Sequence, residues 1–273
     1  MIRPPAVAGR FYPDDPARLL ETLDSFLAQP SQDKKVAEKL PARGCVLPHA
    51  GYKFSGSVAG EVFRRMQIPP RAILIGPRHF PRGAAAAILP EGAWQTPLGL
   101  AQIDFRLARQ IARACPLLRE DEVAHSAEHS LEVLLPFFQR LVPGFSFVPI
   151  VIGPVSYEHL VDLGNALAEV IAAEREPILL AASSDMNHYE TDAATRVKDR
   201  KAIDRILALD PQGLFDTVHK ENISMCGSGA VVAMLTAMRK LGATRGKLLR
   251  YATSGEVNGD LQEVVGYAGI VIT

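Results

Sequence analysis

Residues 178–189 read ILLAASSDMNHY, and the first part of that stretch is apolar without interruption. A strand with one wet face alternates apolar and polar side chains, so a strand that is apolar throughout is covered on both faces. It is closed by the polar cluster Ser183-Ser184-Asp185-Met186-Asn187-His188, where the chain leaves the sheet. Outward from it, further runs rich in Val, Ile and Leu occupy Cys45 to Leu47, Ala72 to Ile75, Phe145 to Ile152, Leu248 to Ala252 and Val264 to Ile272, and are predicted as strands. Between them, Leu19 to Phe26, Val58 to Met66, Phe105 to Ala114, Leu131 to Leu141, Leu160 to Ile171, Arg200 to Leu207 and Ala230 to Leu241 carry apolar residues at helical spacing. The alternation predicts an α/β fold with a central, mainly parallel sheet flanked by helices. The last two strands are close enough in sequence to pair antiparallel across a turn containing Asn258-Gly259-Asp260. Ala28 to Gly44 is the most linker-like stretch, but its length suits a surface connection within one domain, so residues 1–273 are read as a single domain.

The 273 residues balance 30 Lys and Arg against 30 Asp and Glu, which argues against a nucleic-acid surface driven by phosphate neutralisation. No run approaches the roughly 20 apolar residues of a membrane helix. The opening MIRPPAVAGRFYPDD lacks the pattern of a secretory signal, so a cytoplasmic location is expected. Cys45, Cys115 and Cys226 are too few and too widely spaced for a disulfide framework or a four-cysteine zinc site.

Three apolar strands end in a cluster that contains histidine: Pro48-His49-Ala50-Gly51-Tyr52, Gly76-Pro77-Arg78-His79 and the 183–188 cluster. In open α/β sheets the loops beyond the carboxyl ends of the strands form the ligand crevice. One such His taken singly more often bonds a loop backbone, but three in equivalent positions point to a site. Cys226, in Met225-Cys226-Gly227-Ser228-Gly229, opens a helix, where unpaired amides and the helix dipole favour thiolate, a good metal ligand. Cys45 and Cys115 read as buried structural thiols, and His159 and His219 are assigned no role. In Glu128-His129-Ser130-Leu131-Glu132 the two carboxylates would share a helix face while His129 points elsewhere, which is not the arrangement in which two imidazoles meet one metal.

The motifs PHAGY, GPRH, EHSLE and SSDMNHY, the Cys-Gly pair opening a helix, and AGRFYP near the start together resemble the Memo family, also called AmmeMemoRadiSam system protein B, over nearly the whole chain. The resemblance implies a fold similar to that of the class III extradiol dioxygenases, non-haem iron enzymes that hold iron with two His and one Glu. It also implies one metal ion held by His49, His79 and Cys226, with a thiolate where the dioxygenases have a carboxylate. By the same match Asp185 and His188 become supporting groups or a general acid/base, and Glu128 and His129 complete the pocket wall. Fe(II) is favoured, while two imidazoles and a thiolate also suit copper or zinc. An Arg at position 78 could attract an anionic substrate, but it reads first as a surface residue. The function expected is a metal-dependent redox enzyme acting on a small substrate, with association with radical-SAM and AMMECR-type proteins. The alternative is a binding, scaffold or metal-carrier module that kept the pocket without the chemistry; a Cys226 nucleophile enzyme ranks last, because no oxyanion-hole signature accompanies it.

Overall fold

A computed structural model describes residues 1–28 and 39–273 of the chain. Most of the linker-like stretch Ala28 to Gly44 lies outside the described residues. In chain order the first elements are β1 (Ile2–Arg3), α1 (Pro16–Leu27), β2 (Gly44–Leu47), α2 (Tyr52–Arg65), β3 (Arg71–Pro77), β4 (Ala86–Ile88), β5 (Ala93–Thr96) and β6 (Gly99–Ile103). Next come α3 (Phe105–Ala114), β7 (Arg119–Glu120), α4 (Val123–Ser126), a 3-10 turn (Glu132–Leu134), α5 (Leu135–Leu141), β8 (Ser146–Ile152) and α6 (Tyr157–Ala173). The chain continues through β9 (Ile178–Ser183), β10 (His188–Glu190), α7 (Asp192–Leu207), α8 (Pro211–Lys220), α9 (Ser228–Lys240), β11 (Gly246–Thr253), α10 (Gly255–Asn258) and β12 (Val264–Ile272).

The centre of the sheet is the all-parallel run β6–β8–β3–β9–β2. Its strands β3, β8 and β9 are buried almost end to end, as their uninterrupted apolar sequences require. Ile73 of β3 sits between Val148 of β8 and Leu180 of β9, and Val46 of β2 lies beside Ala182 of β9. Antiparallel strands close both sides: β12 pairs with β2 and with β11, and β5 pairs with β6. Helix α9 packs on β9, β3 and β2, and α2 packs on β2, β11 and β12. Fully burying a Leu, Ile or Phe contributes about 1.5–3 kcal/mol, and one contiguous core joins Leu74, Ile150, Leu180 and Val232. No described helix is long and apolar enough to cross a membrane.

Three departures from the sequence reading bear on the site. The helix expected over Leu131 to Leu141 begins only at Leu135, preceded by the 3-10 turn. Pro136 lies in its first turn, the one place where its missing N–H costs nothing. Residues 128–130 are therefore not helical, and the expected shared face of Glu128 and Glu132 does not exist. Helix α8 was not anticipated, although Asp210 caps it by accepting the Gly213 amide and Pro211 follows the cap. The short strands β4, β5 and β6, of mixed composition, were also unread.

Candidate metal centre

Strands β2, β9 and β3 are parallel neighbours, so their carboxyl ends lie side by side. His49 follows β2 by two residues, His79 follows β3 by two, and Asp185 follows β9 by two. A fourth segment reaches the same edge. A Cβ at Gly76 would sit 2.6 Å from Ser130 Oγ and 2.8 Å from a Leu131 methyl, so the bare glycine lets the 128–131 segment lie against the end of β3. That approach brings His129 to the other two histidines. One ligating atom from each of His49, His79 and His129 can be chosen so that all lie within 4.8 Å of one another. Their ring centroids are 5.3 Å (His49–His79), 5.7 Å (His49–His129) and 4.6 Å (His79–His129) apart.

The hydrogen bonds behind the rings decide which nitrogens are free. Ser183 Oγ donates its single proton to the Ser130 carbonyl at 2.6 Å, so toward His49 Nδ1, 2.8 Å away, it can only accept. His49 is thereby fixed with its proton on Nδ1 and a bare Nε2. Glu128 accepts both the backbone amide of His79 (2.6 Å) and its Nδ1–H (2.9 Å), as well as the Ser130 amide (2.8 Å), so Nε2 is the ring nitrogen of His79 turned away from the carboxylate. This carboxylate–imidazole pairing is the arrangement that orients metal-ligating histidines. Burial alone would push the Glu128 carboxyl up, but the hydrogen bonds and charge of His79 and the Ser130 amide outweigh it and hold it at about 2. Burial, reinforced by the neighbouring His79 charge, pushes His49 down to about 3, and burial with the His49 charge pushes His129 down to about 4. Both rings are therefore neutral near pH 7, the form in which imidazole ligates metals. The His129 ring is held from behind by Phe11, whose edge meets it at 4.8 Å.

Cys226 approaches from the other side of His49, with Sγ 3.4 Å from His49 Nε2 and 3.3 Å from the Asp185 amide. It gets there because Gly227 has no side chain: a Cβ at that position would collide with the Ser183 carbonyl and the Ser184 side chain. The expectation of a ready thiolate is corrected. Burial, and then the facing Asp185 carboxylate, push the Cys226 thiol up, and the amides of Asp185 and Gly227 do not compensate. Asp185 accepts the His49 amide at 2.8 Å and is pushed up by its own burial. His188 lies on β10, where its backbone amide donates to Ser224 Oγ and its Nδ1–H donates to the Ser224 carbonyl at 2.9 Å, leaving Nε2 as an acceptor.

A second buried network fixes the segment that carries Glu128 and His129. Glu132, fully buried, accepts Arg3 Nη1 (2.7 Å), the amides of Ala6 (2.8 Å) and Val7 (3.0 Å), and the Tyr12 hydroxyl (2.7 Å). The other arms of Arg3 donate to the carbonyls of His125 and Glu128, and its guanidinium lies 4.0 Å from the centre of the Trp94 ring. None of Arg3, Tyr12, Glu132, Ser130 or Ser183 was given a role of its own from sequence. Glu132 was read only as a companion of Glu128, and the signal that would have separated them is Pro136.

Beside the cluster lies a cavity of about 310 Å3 whose wall includes His79 and Cys226 together with Arg78, His219 and the start of α9. His219, assigned no role from sequence, thus lines the cavity, with its Nδ1–H donated to the Phe215 carbonyl at 2.7 Å.

Fold and geometry together define an α/β protein with a three-histidine cluster at the sheet edge that can hold a metal ion. A profile of the family described as Memo-like protein matches residues 3–271. MEMO1 family proteins of Methanopyrus kandleri and Methanothermobacter thermautotrophicus are each 40% identical to the chain, covering 99% and 98% of it and 99% of their own length. A MEMO1 family protein of Caldivirga maquilingensis is 40% identical over 98% of both chains. The chain belongs to the Memo-like protein family.

Proposed function

We propose that this Memo-family chain is a metal-dependent redox enzyme acting on a small substrate. In this reading His49, His79 and Cys226 ligate one ion, His129 stands as a further imidazole donor beside them, and Fe(II) is favoured over copper or zinc. The observation that carries it is the triangle of His49, His79 and His129, with Nδ1 of His49 and of His79 held from behind by Ser183 and Glu128. The donors fit a transition metal: neutral imidazoles, a sulfur in contact with one of them, and a carboxylate in the supporting layer. A bound ion would supply Lewis acidity and, if redox-active, an electron-transfer centre.

The chain's own groups supply the rest. His188, with Nδ1–H tied to Ser224, presents Nε2 to take a proton from a substrate, and the buried Asp185 holds the His49 loop through its backbone amide. Association with radical-SAM and AMMECR-type proteins and a cytoplasmic location belong to the same reading. Metal analysis of protein purified without added metal, with oxygen uptake recorded in parallel, tests it. About one iron per chain, lost in His49→Ala and His79→Ala, with oxygen consumption supports the enzyme. Bound copper without oxygen consumption favours a metal carrier, and protein that takes up no metal defeats both.

A further inference from the structure

We infer that the cavity beside the histidine cluster seats the acidic group of a small organic anion, a carboxylate or phosphate, held by Arg78 and the first-turn amides of α9. This deepens the proposed function by naming its substrate class and rests on that reading only for the chemistry that follows binding.

Position comes first. The cavity wall contains both His79 and Cys226, so a molecule lodged there lies directly against the candidate centre. Its volume, about 310 Å3, is at the small end of ligand pockets, which run roughly from 300 to 1,000 Å3. Charge points the same way. No Asp or Glu lines the cavity, and Arg78 is the one Lys or Arg among the lining residues. Among the described residues Arg78 has no carboxylate partner. Its Nη1 donates to the carbonyls of Gly83 (2.7 Å) and Arg82 (3.3 Å), which hold the guanidinium in place without cancelling its charge. Its Nε is buried with no hydrogen-bond partner. A half-buried guanidinium that is clamped by carbonyls through Nη1 and lacks a counter-ion is suited to an incoming anion.

The α9 side of the wall has the same polarity by a different route. Gly227 is the N-cap of this 13-residue helix and gives it no side-chain cap, and the next residues, Ser228, Gly229 and Ala230, all line the cavity. The Gly227 amide donates to Ser184 Oγ and the Ser228 amide to the Met225 carbonyl, so the first-turn amides left for an anion are those of Gly229 and Ala230, and the positive end of the helix dipole adds to the guanidinium. An anionic group placed between the two satisfies the orphan donors of both.

The test is calorimetric titration of the full-length chain, in metal-free and metal-loaded form, with inorganic phosphate and with malonate, the metal content of each sample being measured separately. The metal-free protein is expected to bind at least one of the two anions, and the tighter of the two identifies the acidic group. Arg78→Met should weaken that binding about tenfold or more, as loss of a charge-assisted hydrogen-bonding partner does. Arg78→Lys, which keeps the charge and loses the fork, should recover part of it and serves also if Arg78→Met fails to fold. Arg200→Met, at an exposed residue away from the cavity, should leave binding unchanged. The inference is overturned if the wild-type chain binds neither anion, or if folded Arg78→Met or Arg78→Lys binds as tightly as wild type. Anion binding that depends on Arg78 in a chain that takes up no metal would instead sink the proposed function and leave the anion site standing.

Discussion

Arg3→Met removes the cation from the buried network that ties the N-terminal segment to the strip of chain bearing Glu128 and His129. The side chains of Arg3 and Glu132 are 4% and 0% exposed and meet at 2.7 Å. After the substitution Glu132 keeps its three donors from Ala6, Val7 and Tyr12 but loses the one countercharge it has among the described residues, and the carbonyls of His125 and Glu128 lose their Arg3 donors. Breaking a buried pair from one side costs about 3–5 kcal/mol, because an uncompensated charge stays behind. A protein of typical stability has only about 5–15 kcal/mol in total, and the loss should lower the melting temperature by roughly 5–9 °C at this chain length. Urea unfolding at pH 7 with a constant slope gives the free energy directly. Arg3→Met combined with Glu132→Met should lose much less than the two single changes added together, since the double change leaves no buried charge. The released 128–130 segment should also bind metal more weakly through His129. An Arg3→Met protein destabilised by less than about 1 kcal/mol, with additive behaviour in the double variant, would show that the network does not brace the site.

Glu128→Gln removes the carboxylate that holds the His79 backbone amide and Nδ1, so metal affinity measured against a competing chelator should fall about 10- to 100-fold while the fold persists; unchanged affinity would contradict the orienting role of Glu128. His188→Ala should keep the metal content and alter turnover or ligand binding, whereas an emptied site would make His188 a ligand. Asp199, buried, is pushed up to about 7 by that burial, against the opposing Tyr251 hydroxyl and Asn187 amide. Its proton is held more tightly in the folded chain than in the unfolded one, so its contribution to stability is full below about pH 4 and is lost as pH rises through about 7. The melting temperature of wild type relative to Asp199→Asn should therefore fall between those limits, and a flat difference would refute the assignment.

The central sheet was legible because strands covered on both faces cannot alternate, and Ile178 to Ala182 and Ala72 to Ile75 fall inside strands β9 and β3. The C-terminal antiparallel pair was legible from the closeness of its two apolar runs in sequence. The placement of His49, His79 and Asp185 followed from topology alone, since residues just past neighbouring parallel strands share an edge. His129 was harder. Helical periodicity through Leu131 to Leu141 masked the break imposed by Pro136, and only the unwound 128–130 segment can turn Glu128 toward His79 and Glu132 toward Arg3. The state of the Cys226 thiol was misread for a related reason. Amides at a helix start lower a thiol's pKa only where burial and a facing carboxylate do not outweigh them, and how deeply Cys226 packs is set by the tertiary fold, which no local pattern reveals.

The pairing of β2 with β12 sets an order of events during synthesis. Strand β2, which delivers His49, lies between β9 and β12, and β12 spans Val264–Ile272. The loop carrying His49 thus lacks one wall of its sheet until residues 264–272 have left the ribosome, at about 5–20 residues per second in a growing chain. Residues 49 and 226 must also meet across most of the molecule, a contact of the long-range kind that slows folding. A chain that has emerged only as far as β9 therefore lacks both β12 beside β2 and Cys226 beside His49, so the candidate centre is assembled late in synthesis.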